Sequence, residues 1–223
     1  HEAGHASVSW LLKYAHPLVK VTIIPRGKAL GAAWYLPEER QITTTEQMFD
    51  EMTSLLAGRA SEEIHFGKIS TGALNDLERA TKQAYAMVSY FGLNDKIGNV
   101  SFYDSTGQQE FSFSKPYSEK TAETIDKEVS KLVEKAYKRA KDVISENKDK
   151  VTALGDLLLK NEVIFSDDVK AIFGERVGAE YLPDSKAFLS DDTSKIIAEE
   201  EKNTQIGEGE KNQIEDKDKN NKE

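Results

Sequence analysis

The chain has 223 residues, no cysteine and a formal net charge of −9. That length allows one domain, or one domain with an appendage, and the lack of thiols excludes disulfides and any thiolate metal site. An acidic chain without a basic stripe argues against nucleic acid as a partner, and no stretch approaches the roughly 20 apolar residues that span a bilayer.

The first stretch is His1-Glu2-Ala3-Gly4-His5. Residues four apart on an α-helix share a face, so one turn brings two imidazoles together and leaves Glu2 beside them. Imidazole nitrogen suits Zn²⁺, and two protein ligands leave positions for a third and for a water. A carboxylate beside that water can accept its proton. H-E-x-x-H is therefore the arrangement of a zinc metallopeptidase. The competing explanation is a surface helix carrying two histidines by accident. With four histidines in the chain, such a coincidence is on the order of one in a hundred. Ala6, Val8, Trp10, Leu11 and Leu12 make the segment apolar, as a water-excluding site requires. The helix is predicted over residues 1–15 and stops at His16-Pro17, because the residue before proline disfavours the helical region. His16 lies off the face of His1 and His5 and is expected to be a loop or capping residue. A metal helix whose first residue is also its first ligand has no preceding turn, so the chain is expected to be a piece of a longer protein.

Leu18–Pro25 reads as a strand, with Val19, Val21 and Ile23 alternating with Lys20 and Thr22. After a turn at residues 26–31, Ala32–Leu36 is a candidate return strand closed by Pro37. Two strands make a ribbon rather than a sheet. A purely structural hairpin and an edge that hydrogen-bonds an extended peptide are equally open on pattern alone. Thr44 and Gln47 are placed for a capping box, and the helix they start runs to Phe66 and Gly67. Glu62 and Glu63 near its end are candidates for a third metal ligand, whereas His65, between Ile64 and Phe66, is expected to be packed. A loop of small polar residues, 69–75, leads into a helix from Leu74 to about Phe91. Its predicted buried stripe is Leu77, Ala80, Ala84, Met87, Val88 and Phe91. Asp76 in its first turn is favoured by the positive end of the helix dipole, and it is a further ligand candidate. Spacing does not choose between Asp76 and Glu62 or Glu63.

Residues 92–117 form a long irregular stretch with aromatic runs at Phe102-Tyr103 and Phe111–Phe113. Ser118 caps a long helix to about Asn147, with Lys and Glu on its outer faces. Two more helices follow, Val151–Lys160 and Ser166–Phe173. Residues 199–223 hold nine acids and five bases and almost no apolar side chain, too little to offset the ordering entropy. The expected organisation is a metallopeptidase domain over 1–174 and an acidic, disordered tail over 175–223. No Gly-rich phosphate loop and no Ser-His-Asp arrangement occurs in this stretch.

Four separated segments, HEAGH, VTIIPRGKALGAAWYLPEE, TGALNDLERAT and KPYSEKTAETID, resemble the peptidase domain of FtsH-type AAA metalloproteases, a bacterial member in particular. The resemblance runs from His1 to about Gly174. It implies a mainly α fold, a helical array with a small two-stranded β-ribbon. It implies Zn²⁺ as cofactor, with His1 and His5 as two ligands, Asp76 as the aspartate that completes the metal site, and Glu2 as the catalytic carboxylate. It also implies that Val21, Thr22, Ile23, Ile24, Pro25 and Arg26 form the edge strand lining the substrate cleft. Members of this family are membrane-anchored homo-hexamers that cut polypeptides, with the peptidase domain on the cytoplasmic side of the inner (cell) membrane. An upstream AAA ATPase module and membrane helices are absent from this stretch, so it is expected to lack ATP-driven proteolysis by itself. The rival readings are a catalytically silent helical oligomerisation module and a zinc hydrolase of small esters or amides.

Overall fold

Helix α1, Glu2–Leu11, has no wet face: Ala3 through Trp10 are all buried. Such a helix owes its stability to packing rather than to propensity. It appears in a computed structural model that describes residues 1–25, 31–36, 42–103 and 116–178. Arg26, Pro37, Phe111–Phe113 and the acidic tail from residue 179 onward lie outside the described residues.

The helix ends at Leu11, four residues before the predicted Ala15, and Leu12 is already extended (φ −96°, ψ 131°). Two tertiary contacts redirect the chain ahead of Pro17. The Tyr14 amide donates to the Asp50 carboxylate at 3.2 Å, and the Ser9 hydroxyl donates to the His16 carbonyl at 2.6 Å. The far end of the domain closes on the same place. The Trp10 indole donates to the Gly174 carbonyl at 3.0 Å, and the buried Arg176 guanidinium donates to the Ala15 carbonyl.

Strand β1 is Leu18–Thr22, β2 is Ala32–Tyr35 and β3 is Val163–Phe165. The order is β2-β1-β3, and both pairings are antiparallel. The ribbon predicted from the sequence is thus a three-stranded sheet. Val21 pairs with Ala33 on one side and with Ile164 on the other. Three residues, Val163–Phe165, are too few to show an alternation, so nothing local announces β3. What delivers it is Glu162, which takes a left-handed conformation (φ 62°) just after the last helical residue before it. Its carbonyl accepts the Ile23 amide at 3.0 Å and the Thr22 hydroxyl at 3.1 Å.

Helix α2, Thr45–Phe66, carries the predicted capping box. Thr44 Oγ1 accepts the Gln47 amide, Gln47 Oε1 accepts the Thr44 amide, and Gly67 (φ 64°) ends the helix in the left-handed region. A 3₁₀ turn at Thr71–Ala73 leads into α3, Leu74–Ser89. Because α3 stops at Ser89, Phe91 leaves the predicted buried stripe and is exposed. Helix α4 is Glu119–Glu146, capped by Ser118. Helix α5, Lys148–Asn161, begins three residues before the predicted Val151, and α6 is Ser166–Phe173. The fold is mainly α, as the sequence indicates.

The apolar residues gather in two clusters. Val8, Trp10, Val21, Leu154, Leu158 and Ile164 belong to the first, which surrounds α1. Met52, Met87, Val88 and Ile125 belong to the second, between α2, α3 and α4. Helix α2 serves both, giving Ala57 and Ala60 to one and Met52 and Leu56 to the other. Among the described residues no helix is long and apolar enough to cross a membrane.

Ile164 is fully buried at the centre of the strand that local pattern misses. Replacing Ile164 with Ala should destabilise the domain by about 2–5 kcal/mol. Urea denaturation should then show a lower midpoint with an unchanged slope.

Candidate metal centre

His1 and His5 lie one turn apart at the start of α1, and their rings meet edge to face with centroids 4.8 Å apart. The two Nε2 atoms are separated by 3.1 Å. Asp76, in the first turn of α3, brings Oδ2 to 3.3 Å from His1 Nε2 and 3.4 Å from His5 Nε2. Among the described residues this is the one group of three His, Asp or Glu side chains able to hold a metal ion.

The rings are oriented from behind by one stripe of α2. Ser54, Gly58 and Glu62 recur every four residues and therefore share a face. His5 Nδ1 donates to the Ser54 carbonyl at 2.9 Å. A carbonyl can only accept, so the neutral ring carries its hydrogen on Nδ1 and presents a lone pair at Nε2. His1 Nδ1 lies 2.6 Å from Glu62 Oε1, and the same reasoning applies. Glu62 Oε2 accepts the Ser70 amide at 2.9 Å, so one carboxylate ties His1 to the loop that leads to Asp76. Between them Gly58 offers no side chain. A Cβ there would sit 2.5 Å from His5 Nε2 and 2.6 Å from His1 Nε2. At Gly4 a Cβ would lie 2.6 Å from the Ala57 carbonyl oxygen. The two helices thus approach backbone to backbone.

With both rings neutral, three acceptors converge here. Lone pairs so arranged repel unless a cation or a proton sits among them. Two imidazole nitrogens and one carboxylate oxygen are a Zn²⁺ donor set, and Gly58 leaves the space beside both nitrogens open, so these residues fit the ion. The family pattern of the M41 peptidases matches residues 1–172.

The chain belongs to peptidase family M41.

It is 65% identical over 176 residues to an "ATP-dependent zinc metalloprotease FtsH" of Parabacteroides distasonis, covering 79% of this chain and 26% of that protein. A protein of the same name from Karelsulcia muelleri is 55% identical over 172 residues, 77% of this chain and 28% of its own length. The mouse "Mitochondrial inner membrane m-AAA protease component AFG3L1" is 48% identical over 180 residues, 81% of this chain and 23% of its own. The chain therefore spans about a quarter of the length of these relatives.

Within the M41 domain the carboxyl groups are tuned in opposite directions. Burial pushes Asp76 up, but hydrogen bonds to His1 and His5 outweigh it and hold it well below the usual carboxylate range. Burial also pushes Glu62 up, and its bonds to His1 and Ser70 bring it below the ordinary value. For Glu2 burial prevails over the nearby His5 and His1, and its pKa is raised. In the metal-free domain burial pulls His1 down, but the bonds to Asp76 and Glu62 dominate and raise it to about 9.

The remaining sequence candidates fall elsewhere. Glu62 is at the back of His1 rather than among the converging acceptors. Glu63 turns away to accept the Tyr137 hydroxyl at 2.5 Å. His65 contacts the Ser61 carbonyl and the Thr152 hydroxyl, and His16 Nε2 lies 3.8 Å from Glu51. The expected edge role requires correction for Val21–Pro25, Arg26 lying outside the described residues. Val21 and Thr22 belong to the central strand and are paired on both sides, so no free ladder remains there for a peptide. The Ile23 amide is taken by Glu162 and the Ile24 amide by Thr22 Oγ1, while Pro25 has no amide hydrogen to donate. The strand that borders the site from an edge is β2. Gly31 just before it is where a Cβ would meet the Glu2 side chain, and Tyr35 within it packs against the cluster around α1. Sequence reasoning missed the orienting role of Glu62 and Ser54. The available signal was Gly58, an isolated glycine in a helical pattern, midway between them.

Two outcomes follow for metal binding. Glu62→Gln should leave the fold intact and weaken zinc binding about 10–100-fold, as measured by chelator competition. Zinc uptake by the metal-free domain at neutral pH should release about one proton from His1, read by calorimetry in buffers of different ionisation enthalpy. Because the folded-state pKa of His1 is raised, its stabilisation is full below the ordinary 6.5 and is lost as pH rises through about 9. The melting temperature of the metal-free domain should fall over that window.

Proposed function

We propose that the chain is the zinc-dependent endopeptidase module of a membrane-anchored, ATP-dependent protease that degrades unfolded or membrane proteins. The observation that carries this reading is the meeting of His1 Nε2, His5 Nε2 and Asp76 Oδ2 at separations of 3.1 to 3.4 Å, with Glu2 next to His1 on the same helix. A silent assembly module gives no reason for three acceptors to converge. An ATPase module, a hexameric assembly and a membrane anchor that leaves the peptidase domain on the cytoplasmic side belong to the longer protein; the ATP-dependent and inner-membrane m-AAA relatives support the ATPase module and the anchor.

Bound Zn²⁺ supplies Lewis-acid activation of a water and of the scissile carbonyl. His1, His5 and Asp76 would hold the ion through two neutral nitrogens and one anionic oxygen. Glu62 and the Ser54 carbonyl keep both Nδ1 hydrogens in place and the lone pairs aimed forward. Glu2 accepts the proton that the attacking water gives up and returns it to the amine nitrogen of the departing peptide. Its raised pKa suits both transfers, because a proton taken too weakly is not taken and one held too strongly is not returned. The substrate runs extended along the free edge of β2, where main-chain hydrogen bonds recognise a peptide regardless of its sequence.

Glu2→Gln should retain zinc and lower cleavage of casein by about 10²–10⁴-fold. Asp76→Ala should lose zinc and activity together. Cleavage by Glu2→Gln at the wild-type rate would mean that another group takes the proton.

A further inference from the structure

Gly31, just before β2, is set apart by what a side chain there would meet. A Cβ built on Gly31 would lie 2.7 Å from Glu2 Cγ, 2.7 Å from Glu2 Oε1 and 2.9 Å from Glu2 Cδ, and these are the three nearest atoms it would meet. The Glu2 side chain is laid along the bare backbone at the mouth of β2.

We propose that Gly31 is a positioning residue for Glu2, a wall of main chain that limits the rotamers of the carboxylate and keeps it turned toward the acceptor triad. The proposal rests on the reading of Glu2 as the base. A free glutamate has three rotatable bonds and fans over several ångströms, whereas a base must sit within about 2.6–3.2 Å of the proton it takes. The wall is also the lead-in to the edge strand. Base and peptide are thus referenced to the same few backbone atoms. The three atoms nearest a methyl at residue 31 all belong to the flexible Glu2 side chain, so Glu2 is the group that would swing away.

The test compares wild type, Gly31→Ala, Gly31→Ser and Glu2→Gln in the full 223-residue chain. Gly31→Ala should keep its zinc stoichiometry, its cobalt-substituted absorption spectrum and its melting temperature. On an unstructured peptide its kcat should fall on the order of 100-fold, the effect of roughly 1 Å of misplacement, with KM nearly unchanged. Gly31→Ser should behave alike. Independently of turnover, wild type should show strong nuclear Overhauser contacts between the Gly31 Hα and Glu2 Hγ protons. Wild-type kcat in Gly31→Ala beside an inactive Glu2→Gln overturns the positioning role alone, as does loss of zinc or of the fold in Gly31→Ala. Absence of the Overhauser contacts in folded, zinc-loaded wild type does the same. Full activity in Glu2→Gln instead removes the reading on which the proposal rests.

Discussion

Two imidazole nitrogens and a carboxylate oxygen turned toward one point are costly for a bare protein unless a proton or a cation sits among them. The rest of this M41 domain is arranged to keep them there. Helix α1 is buried on every side, so its histidines cannot swing out without opening the core. Helix α2 presses from behind with a glycine opposite the imidazoles and an acceptor for each Nδ1 hydrogen. The 3₁₀ turn ahead of α3 fixes where Asp76 starts. Repulsion that the fold tolerates becomes attraction once a cation occupies the middle, which links metal binding to the stability of this region.

The carboxyl groups nearby show how environment divides one chemistry into several tasks. Asp76 and Glu62 each answer to an imidazole and stay charged. Glu2 is half-buried, its desolvation outweighs the nearby His5 and His1, and its pKa is raised. Glu63, adjacent to Glu62 in the chain, faces Tyr137 and Lys141 and serves the packing of α2 against α4. Asp50 is pushed up by burial and held by the Tyr14 amide and Arg139, and it sets where α1 ends. Separating pKa values in this way is how two acids in one site come to do different work.

The sheet has a part that its size conceals. With β1 in the centre, both of its sides are paired, and the outer strands are β2 and β3. Of these, β2 begins next to Gly31, beside the Glu2 carboxylate. On the proposed reading, recognition of main chain and placement of the base would come from one segment.

Much of this was legible in the residues themselves. H-E-x-x-H brought His1, Glu2 and His5 together because a helical turn is local geometry. The Thr44–Gln47 box and Gly67 marked both ends of α2 for the same reason. Asp76 was one of three open acids on spacing, and resemblance to the FtsH-type domain, not periodicity, separated it from Glu62 and Glu63. Tertiary structure alone decided that Glu62 stands behind His1, that Val163–Phe165 completes a sheet around β1, and that Tyr14 and Asp50 cut α1 short. Each of these joins segments between 36 and 145 residues apart. Side-chain period within one element carries no information about which distant element will supply its partner, and that choice is made only when the apolar faces pack.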